Sequence, residues 1–228
     1  MDLSLMSGYA TILQELEEAW SEVQTQDGLR VVLFEGISGS PKTRVVKQFV
    51  SAAQAPYISG YGAEIPEPYL LLRLAFESLV RLDAVQTELA KLPEGVSYEW
   101  QVMLTTLAQV LPLLNLASNP VWDPLRHWQS TISGRSMIGD SFEANEPLYP
   151  VTLPDLFALA IGEAAALFPL VFLVENIDQA DIATIEAFTM DILPALRNSR
   201  ILIIVTFEPR EHQPVDELSH FIQTALNI

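Results

Sequence analysis

The chain has 228 residues, half of them hydrophobic, and 29 acidic against 12 basic residues give it a formal net charge of −17. This acidity repels phosphate backbones, so we expect no direct binding to nucleic acid. The chain contains no cysteine, which excludes a disulfide framework and a thiolate metal site. Its length suits one α/β domain with a full core, and we expect a single domain over residues 1–228.

The N-terminal segment has helical periodicity and no targeting signal. Residues 8–25 place their large apolar side chains on one stripe, which predicts an amphipathic helix. Residues 1–6 contain neither a basic region nor a long apolar run. A signal peptide is therefore not indicated, and we expect a cytoplasmic protein.

A predicted strand, a glycine-containing loop and a predicted helix then follow one another. Residues 31–34 are β-branched, aliphatic and aromatic, and residues 44–54 carry apolar side chains at helical spacing. Between them Gly36, Lys42 and Thr43 match the P-loop pattern of Gly, four free positions, Gly, Lys and Ser or Thr, except at the second glycine. The order of elements is the one that a phosphate-binding loop requires.

Phosphate binding is the chemistry that this pattern favours. In a P-loop the backbone N–H groups face phosphate oxygens, the lysine reaches the terminal phosphates and the hydroxyl holds Mg²⁺. We therefore predict that Lys42 binds phosphate and that Thr43 binds the metal ion. Gly36, Gly39 and Ser40 are predicted to line the same cofactor site.

Proline occupies the position of the second glycine. Pro41 has no N–H to give to a phosphate, and its ring fixes φ near −65°. Proline is nevertheless well accepted in the first turn of a helix. The strand–loop–helix geometry should therefore tolerate Pro41 better than ligand binding does, and Gly39 can supply a positive φ within the loop.

The middle of the chain predicts a second strand and then an insertion. The strand covers residues 57–60, and glycines and prolines mark the loop after it. Helical spacing predicts three further helices, at 69–82, 84–91 and 98–114. Residues 115–150 hold scattered aromatics without a sustained period, so we expect residues 83–150 to be a helical and irregular insertion. Its aromatics could also dock on the core or on a partner.

A second candidate site follows the third predicted strand. Residues 170–174 are apolar in succession, which is typical of a strand buried on both faces of a parallel sheet. Glu175 comes next, at the end of the strand where ligands of such sheets gather, and a carboxylate there can hold Mg²⁺. The following position, where a second acid commonly orients the attacking water, is Asn176.

The C-terminal half completes an α/β pattern. Helices are predicted over residues 153–168, 182–196 and 215–226, and the fourth strand over residues 201–206. Prolines and acids interrupt the apolar stretch from 151 to 174, so we expect no membrane span. Four parallel strands with helices on both faces predict a three-layer α/β sandwich, and a fifth strand is not indicated.

Several of these segments together resemble the ATPase domains of STAND and AAA-type regulators. Residues 175–181, Glu-Asn-Ile-Asp-Gln-Ala-Asp, are similar to the family's acidic pair followed by Leu-His-Trp-Ala-Asp. Residues 68–73 are similar to its Pro-Tyr opening of a helix, and residues 200–206 are similar to its sensor strand. The arrangement from residue 8 to residue 210 carries the resemblance more than any one motif.

The resemblance implies a P-loop NTPase-like sandwich that binds ATP or ADP with Mg²⁺. Carried over by position, Thr43 and Glu175 would serve the metal ion. Lys42 would bind phosphate and Thr206 would be the sensor residue. Asn176 would stand at the catalytic position in degenerate form, because an uncharged amide can orient water but cannot accept its proton as a carboxylate does.

Further departures from the family also point away from turnover. Glu208 stands where the family carries arginine, and Arg210 lies two residues on. We expect the chain to lack the C-terminal lid of the family, either because it is a piece of a longer regulator or because it is a reduced member that works in an assembly. The resemblance thus implies a degenerate regulatory or scaffolding module with weak or no hydrolysis. Such a module would work with a protein partner or further domains, and it could form an oligomer.

Two other interpretations remain open. A pseudo-NTPase would keep the sheet as an interaction domain and bind no nucleotide, which Pro41, Asn176 and Glu208 favour. A small-molecule kinase would need additional basic residues to clamp a transferring phosphoryl group. Such residues are scarce, and Arg126 and Arg135 in the predicted insertion are the candidates.

Overall fold

The protein contains one four-stranded parallel sheet. The computed structural model describes residues 7–26, 28–37, 39–65, 67–91, 153–208 and 216–227. The strands are β1 (Leu29–Glu35), β2 (Tyr57–Tyr61), β3 (Leu170–Glu175) and β4 (Ile201–Phe207). They pair in the order β1-β4-β3-β2, and every pair is parallel. The predicted α/β class and parallel sheet are confirmed.

Helices connect and flank these strands. They are α1 (Ser7–Thr25), α2 (Lys42–Ala53), α3 (Leu70–Val80), α4 (Asp83–Lys91), α5 (Leu153–Leu167), α6 (Ile182–Ala187), α7 (Leu193–Ala195) and α8 (Asp216–Leu226). Their bounds agree with most of the predicted helices within two residues. The described residues resume at Leu153 after the end of α4. The helix predicted over 98–114 and the rest of the predicted insertion therefore lie outside the described residues.

The sheet is covered on both faces because successive side chains of a strand point to opposite sides. Val171 and Leu173 of β3 pack with α1 and α2 in one apolar cluster. Phe172 and Val174 of the same strand belong to a larger cluster with α3, α5, α6 and α8. These two clusters make the fold a three-layer sandwich, and they explain why β3 and β4 are continuously apolar until Glu175 and Thr206 near their carboxyl ends.

A row of phenylalanine rings runs through the larger cluster. The ring centroid of Phe172 lies 5.9 Å from that of Phe157 and 5.7 Å from that of Phe188, which in turn lies 6.2 Å from Phe221. All four side chains are fully buried. The row joins α5, β3, the segment after α6, and α8, so that one hydrophobic core supports this half of the sandwich.

Helix α3 covers the outer edge of β2. The backbone N–H of Ser59 donates to the hydroxyl oxygen of Ser78 at 3.3 Å. A Cβ atom at Gly60 would lie 2.1 Å from the carbonyl oxygen of Leu71. The helix can approach the strand this closely only because position 60 has no side chain, and its approach shields an edge that would otherwise be open to pairing.

The helix predicted over 182–196 is confirmed as helical from Ile182 to Ala195, but its pitch changes in the middle. A π-helical segment, Phe188–Ile192, separates α6 from α7. Pro194 has no N–H to bond the carbonyl of Met190, so an α-helical hydrogen bond is missing there. The buried hydroxyl of Thr189 also donates to the carbonyl of Ile185 at 2.9 Å. Both features favour a local change of helical pitch.

In the described parts of the chain, no helix combines the length and the apolar character that crossing a membrane requires.

Candidate functional site at the carboxyl edge of the sheet

The strand register brings the ends of all four strands to one edge. Glu35 at the end of β1 pairs with Phe207 at the end of β4, and Tyr61 of β2 pairs with Glu175 of β3. After β1 the chain passes into α2 on one face, and after β3 it passes into α6 on the other. Parallel sheets form a ligand crevice where connections diverge in this way.

Thr43 and Glu175 meet at this edge. The Thr43 hydroxyl donates to Glu175 Oε2 at 2.7 Å, across 132 positions of sequence. Lys47 Nζ lies 3.6 Å from the other carboxylate oxygen, Oε1. Lys47 was not among the predicted site residues, although Thr43 and Lys47 are four residues apart on α2 and so share a helix face. One carboxylate is thus contacted by a hydroxyl and by an ammonium group from the same helix.

The pair of oxygen ligands fits Mg²⁺ in part. This ion typically takes one or two protein oxygens and completes its shell with water and phosphate oxygens. The Thr43 hydroxyl and the Glu175 carboxylate are ligands of that kind, and their separation of 2.7 Å lets both reach one ion. Among the described residues no group of three or more His, Asp or Glu could hold a metal ion. A metal ion here would therefore depend on phosphates or water for its remaining ligands.

Lys42 is folded back onto the loop that precedes it. Its ammonium group donates to the carbonyl oxygens of Gly36 at 2.5 Å and of Ile37 at 3.1 Å, and it lies 3.4 Å from the Ser40 hydroxyl. The residue is 5% exposed. Its Nζ also lies 3.8 Å from Glu208 Oε1. The buried cation is therefore surrounded by acceptors that belong to the protein itself.

The loop backbone also bonds to itself. The Ser40 N–H donates to the carbonyl of Ile37 at 3.1 Å, and the Lys42 N–H donates to the carbonyl of Ser40 at 2.9 Å. Gly39 has φ of +76°, so it adopts the left-handed backbone that its sequence position suggested. Pro41 directly precedes α2, and the strand–loop–helix geometry persists with it. A phosphate would have to replace some of these internal bonds to reach the loop N–H groups.

Asn176 begins a tight turn that β2 and β4 hold in place. Its backbone is left-handed, with φ of 52°, which asparagine tolerates better than most residues. Its N–H donates to the hydroxyl of Thr206 at 3.1 Å, and Thr206 is fully buried. The Gly62 N–H donates to the carbonyl of Glu175 at 2.9 Å. The predicted catalytic and sensor positions, Asn176 and Thr206, therefore adjoin Glu175 through backbone contacts.

Two acids after this turn connect separate elements. Asp178 is buried, and its Oδ1 accepts the N–H of Glu208 at 3.3 Å. Asp181 caps α6, because its Oδ1 accepts the N–H of Thr184 at 2.9 Å, and its Oδ2 accepts the N–H of Tyr69 at 3.0 Å. The sequence placed both acids within the family-like segment, but it could not show which N–H groups donate hydrogen bonds to them.

A separate cleft lies next to the π-helical segment. It has a volume of about 470 Å³, and its lining includes Tyr69, Glu186, Met190 and Asp191 but none of the predicted site residues. Burial, together with the neighbouring carboxylate of Asp155, raises the pKa of Asp191 above its ordinary value. Burial and nearby carboxylates likewise raise the pKa of the Tyr69 hydroxyl. The cleft thus holds negative charge at some cost to stability.

We expect Asp191→Asn to stabilise the protein slightly at neutral pH. An acid whose pKa is higher in the folded state disfavours folding once it is ionised. This penalty is lost as the pH falls through the folded pKa, and it is absent below the pKa of the unfolded state, about 3.9. The substitution should raise Tm by about 1 to 2 °C at pH 7 and leave it unchanged at about pH 3, where the carboxyl is protonated in both the folded and the unfolded state. Thermal melts of both proteins across this pH range test the effect, and a gain that is constant with pH would contradict it.

The protein is an α/β domain. Its parallel sheet and the elements at the carboxyl edge of that sheet are compatible with a P-loop-like fold. The strand–loop–helix unit at β1 and the carboxylate at the end of β3 are adjacent in space. A comparison with models of protein families finds no match for the chain, and a comparison with curated proteins finds no match either.

Proposed function

We propose that this protein is a degenerate nucleotide-binding module of STAND or AAA type. It binds ATP or ADP weakly, with Mg²⁺, at the carboxyl edge of the sheet, and it serves a regulatory or scaffolding role. Protein partners or further domains would transmit the effect of the nucleotide. Hydrolysis in this proposal is slow or absent.

The contact between Thr43 and Glu175 supports this proposal most directly. Their side-chain oxygens lie 2.7 Å apart at the mouth of the crevice, and Lys42 adjoins Thr43 at the start of α2. A phosphate group over the N-terminus of this helix would face both the lysine and any metal ion shared by the two oxygens. The Mg²⁺ would neutralise phosphate charge and orient the phosphate chain.

Weak hydrolysis follows from the residues beside Glu175. Asn176 stands at the position where a hydrolytic enzyme would have a carboxylate to accept the proton of the attacking water. An amide cannot accept that proton. Pro41 removes one N–H donor from the loop. Each change reduces the stabilisation that a transferring phosphoryl group would receive, so we propose binding without efficient turnover.

A pseudo-NTPase that binds no nucleotide is the second candidate. The internal hydrogen bonds of the loop, from Ser40 and Lys42, favour it, because two N–H groups already have partners in the protein. The ammonium of Lys42 likewise has two carbonyl acceptors. In this alternative the loop is a structural connection, and the acidic domain acts only as an interaction surface.

Lys42→Met separates the two functions. Methionine keeps the apolar stem of the side chain and removes the ammonium group, so the core contacts are largely retained. We expect a fluorescent ATP analogue with Mg²⁺ to bind the native chain with Kd of about 1 mM or tighter, and to bind the variant at least about tenfold more weakly. Fluorescence titration with and without Mg²⁺ measures both affinities.

A matched control removes a positive charge far from the loop. Arg81→Ala deletes an exposed cation that pairs with Glu77 after the end of α3, and it should leave the affinity for the analogue unchanged. Circular dichroism verifies that each variant is folded. Equal affinity in the native and Lys42→Met proteins, or saturation in neither, would favour the pseudo-NTPase.

A further inference from the structure

Glu208 is held beside the phosphate loop by its backbone. The residue follows β4, whose last residue, Phe207, accepts the N–H of Gly36 at 3.1 Å. The N–H of Glu208 itself donates to Asp178, a buried carboxylate after β3, at 3.3 Å. The start of the loop and the turn after β3 therefore fix the backbone of Glu208 from two sides.

The carboxylate of Glu208 balances the charge of Lys42. Its Oε1 lies 3.8 Å from Lys42 Nζ, with the two side chains 28% and 6% exposed. The other acceptors around the ammonium, which are the carbonyls of Gly36 and Ile37 and the hydroxyl of Ser40, carry no net charge. A buried ammonium is costly without a counter-charge, and Glu208 supplies that charge from a partly exposed position.

We infer that Glu208 is an internal competitor of phosphate at Lys42. The inference rests on the proposed function, and it assigns a means of regulation to the same site. A phosphate oxygen that approaches Lys42 enters the field of a carboxylate that already neutralises it, and like charges at this separation repel strongly in a partly buried site. Nucleotide binding is therefore coupled to neutralisation or displacement of the Glu208 side chain.

The competition has a charge signature. A triphosphate carries one more negative charge than a diphosphate, so it loses more by the presence of Glu208 if its terminal phosphate is the group that meets Lys42. Removing the carboxylate should strengthen binding of both nucleotides, and of the triphosphate by the larger factor. A general change in the net charge of the chain would strengthen binding to the same extent wherever a carboxylate is removed, so a variant at a distant glutamate separates the two effects.

Glu208→Gln tests the inference because glutamine keeps the size of the side chain and loses its charge. Fluorescent analogues of ATP and ADP are titrated with Mg²⁺ at constant ionic strength. We expect the variant to bind the ATP analogue about tenfold more tightly than the native chain does, and the ADP analogue with a smaller gain. Glu77→Gln, an exposed glutamate on α3, is the matched control and should change neither affinity.

Each outcome decides between the two proposals. Binding by Glu208→Gln where the native chain binds too weakly to detect would also support the inference. Equal affinity of native and Glu208→Gln proteins, with binding lost in Lys42→Met, would overturn the inference and leave the proposed function standing. No saturation in any folded variant would overturn both. An equal gain in Glu77→Gln would overturn the inference by showing an effect of net charge alone.

Discussion

Gly62→Ala is expected to destabilise the protein by about 3 kcal/mol, because the loop after β2 touches the turn after β3. A Cβ at this position would lie 2.3 Å from the carbonyl oxygen of Asn176 and 2.6 Å from the backbone nitrogen of Ala180. Both are backbone atoms, so no side-chain rotation can relieve the overlap. The turn itself is anchored, since the N–H of Asn176 is bonded to Thr206.

Urea unfolding, followed by circular dichroism, measures this loss as a lower midpoint at an unchanged slope. Gly162→Ala is the matched control within α5, where an added Cβ would come no closer than 3.6 Å, to a side-chain atom of Leu196. In a helix interior this change should stabilise the protein by about 0.5 to 1 kcal/mol. If Gly62→Ala were as stable as the native protein, the turn could not pack against β2 as described.

Asp181→Ala should cost about 2 to 4 kcal/mol, because a single carboxylate serves two helices. It caps α6 through the N–H and hydroxyl of Thr184, and such a cap is worth about 1 kcal/mol. It also accepts the N–H of Tyr69, just before α3. That N–H would lose its partner in a partly buried place, at an additional cost of about 1 to 3 kcal/mol.

The bond to Tyr69 also holds an unfavourable backbone. Tyr69 has φ of 56°, in the left-handed region that residues other than glycine seldom adopt. Asp181→Asn keeps one carbonyl oxygen as an acceptor, so it should preserve the cap or the Tyr69 bond but not both. We expect the asparagine variant to fall between the native and alanine proteins in urea unfolding. A loss in Asp181→Ala no larger than that of a cap alone would show that the Tyr69 contact contributes nothing.

Much of the fold could be predicted because buried parallel strands are continuous apolar runs. Residues 170–174 and 201–206 were recognisable as strands for this reason, and β3 and β4 extend each run by only one residue. The loop at Gly36 was recognisable from its local order of strand, glycine and helix. Pro194 was present in the sequence as well, but its effect on helical pitch was not predicted.

The contacts of the candidate site were harder to predict, because they join residues remote in sequence. Lys47 reaches Glu175 only because α2 crosses above β3. Asp178 meets the backbone of Glu208 only because β3 and β4 are neighbours in the sheet. Local patterns identify candidate side chains, but strand order and register decide which of them meet.

The sequence by itself determined the class of the fold, the positions of the strands and the identity of the residues in the loop after β1. These properties follow from hydrophobic runs, turn-forming residues and spacing, which are local. The family resemblance placed Thr43 and Glu175 at one metal ion, but only the tertiary structure decided that their side chains touch and that the charge facing Lys42 is the carboxylate of Glu208. Electrostatic contacts depend on distance in space, and the alignment of four strand ends at one edge of the sheet sets those distances.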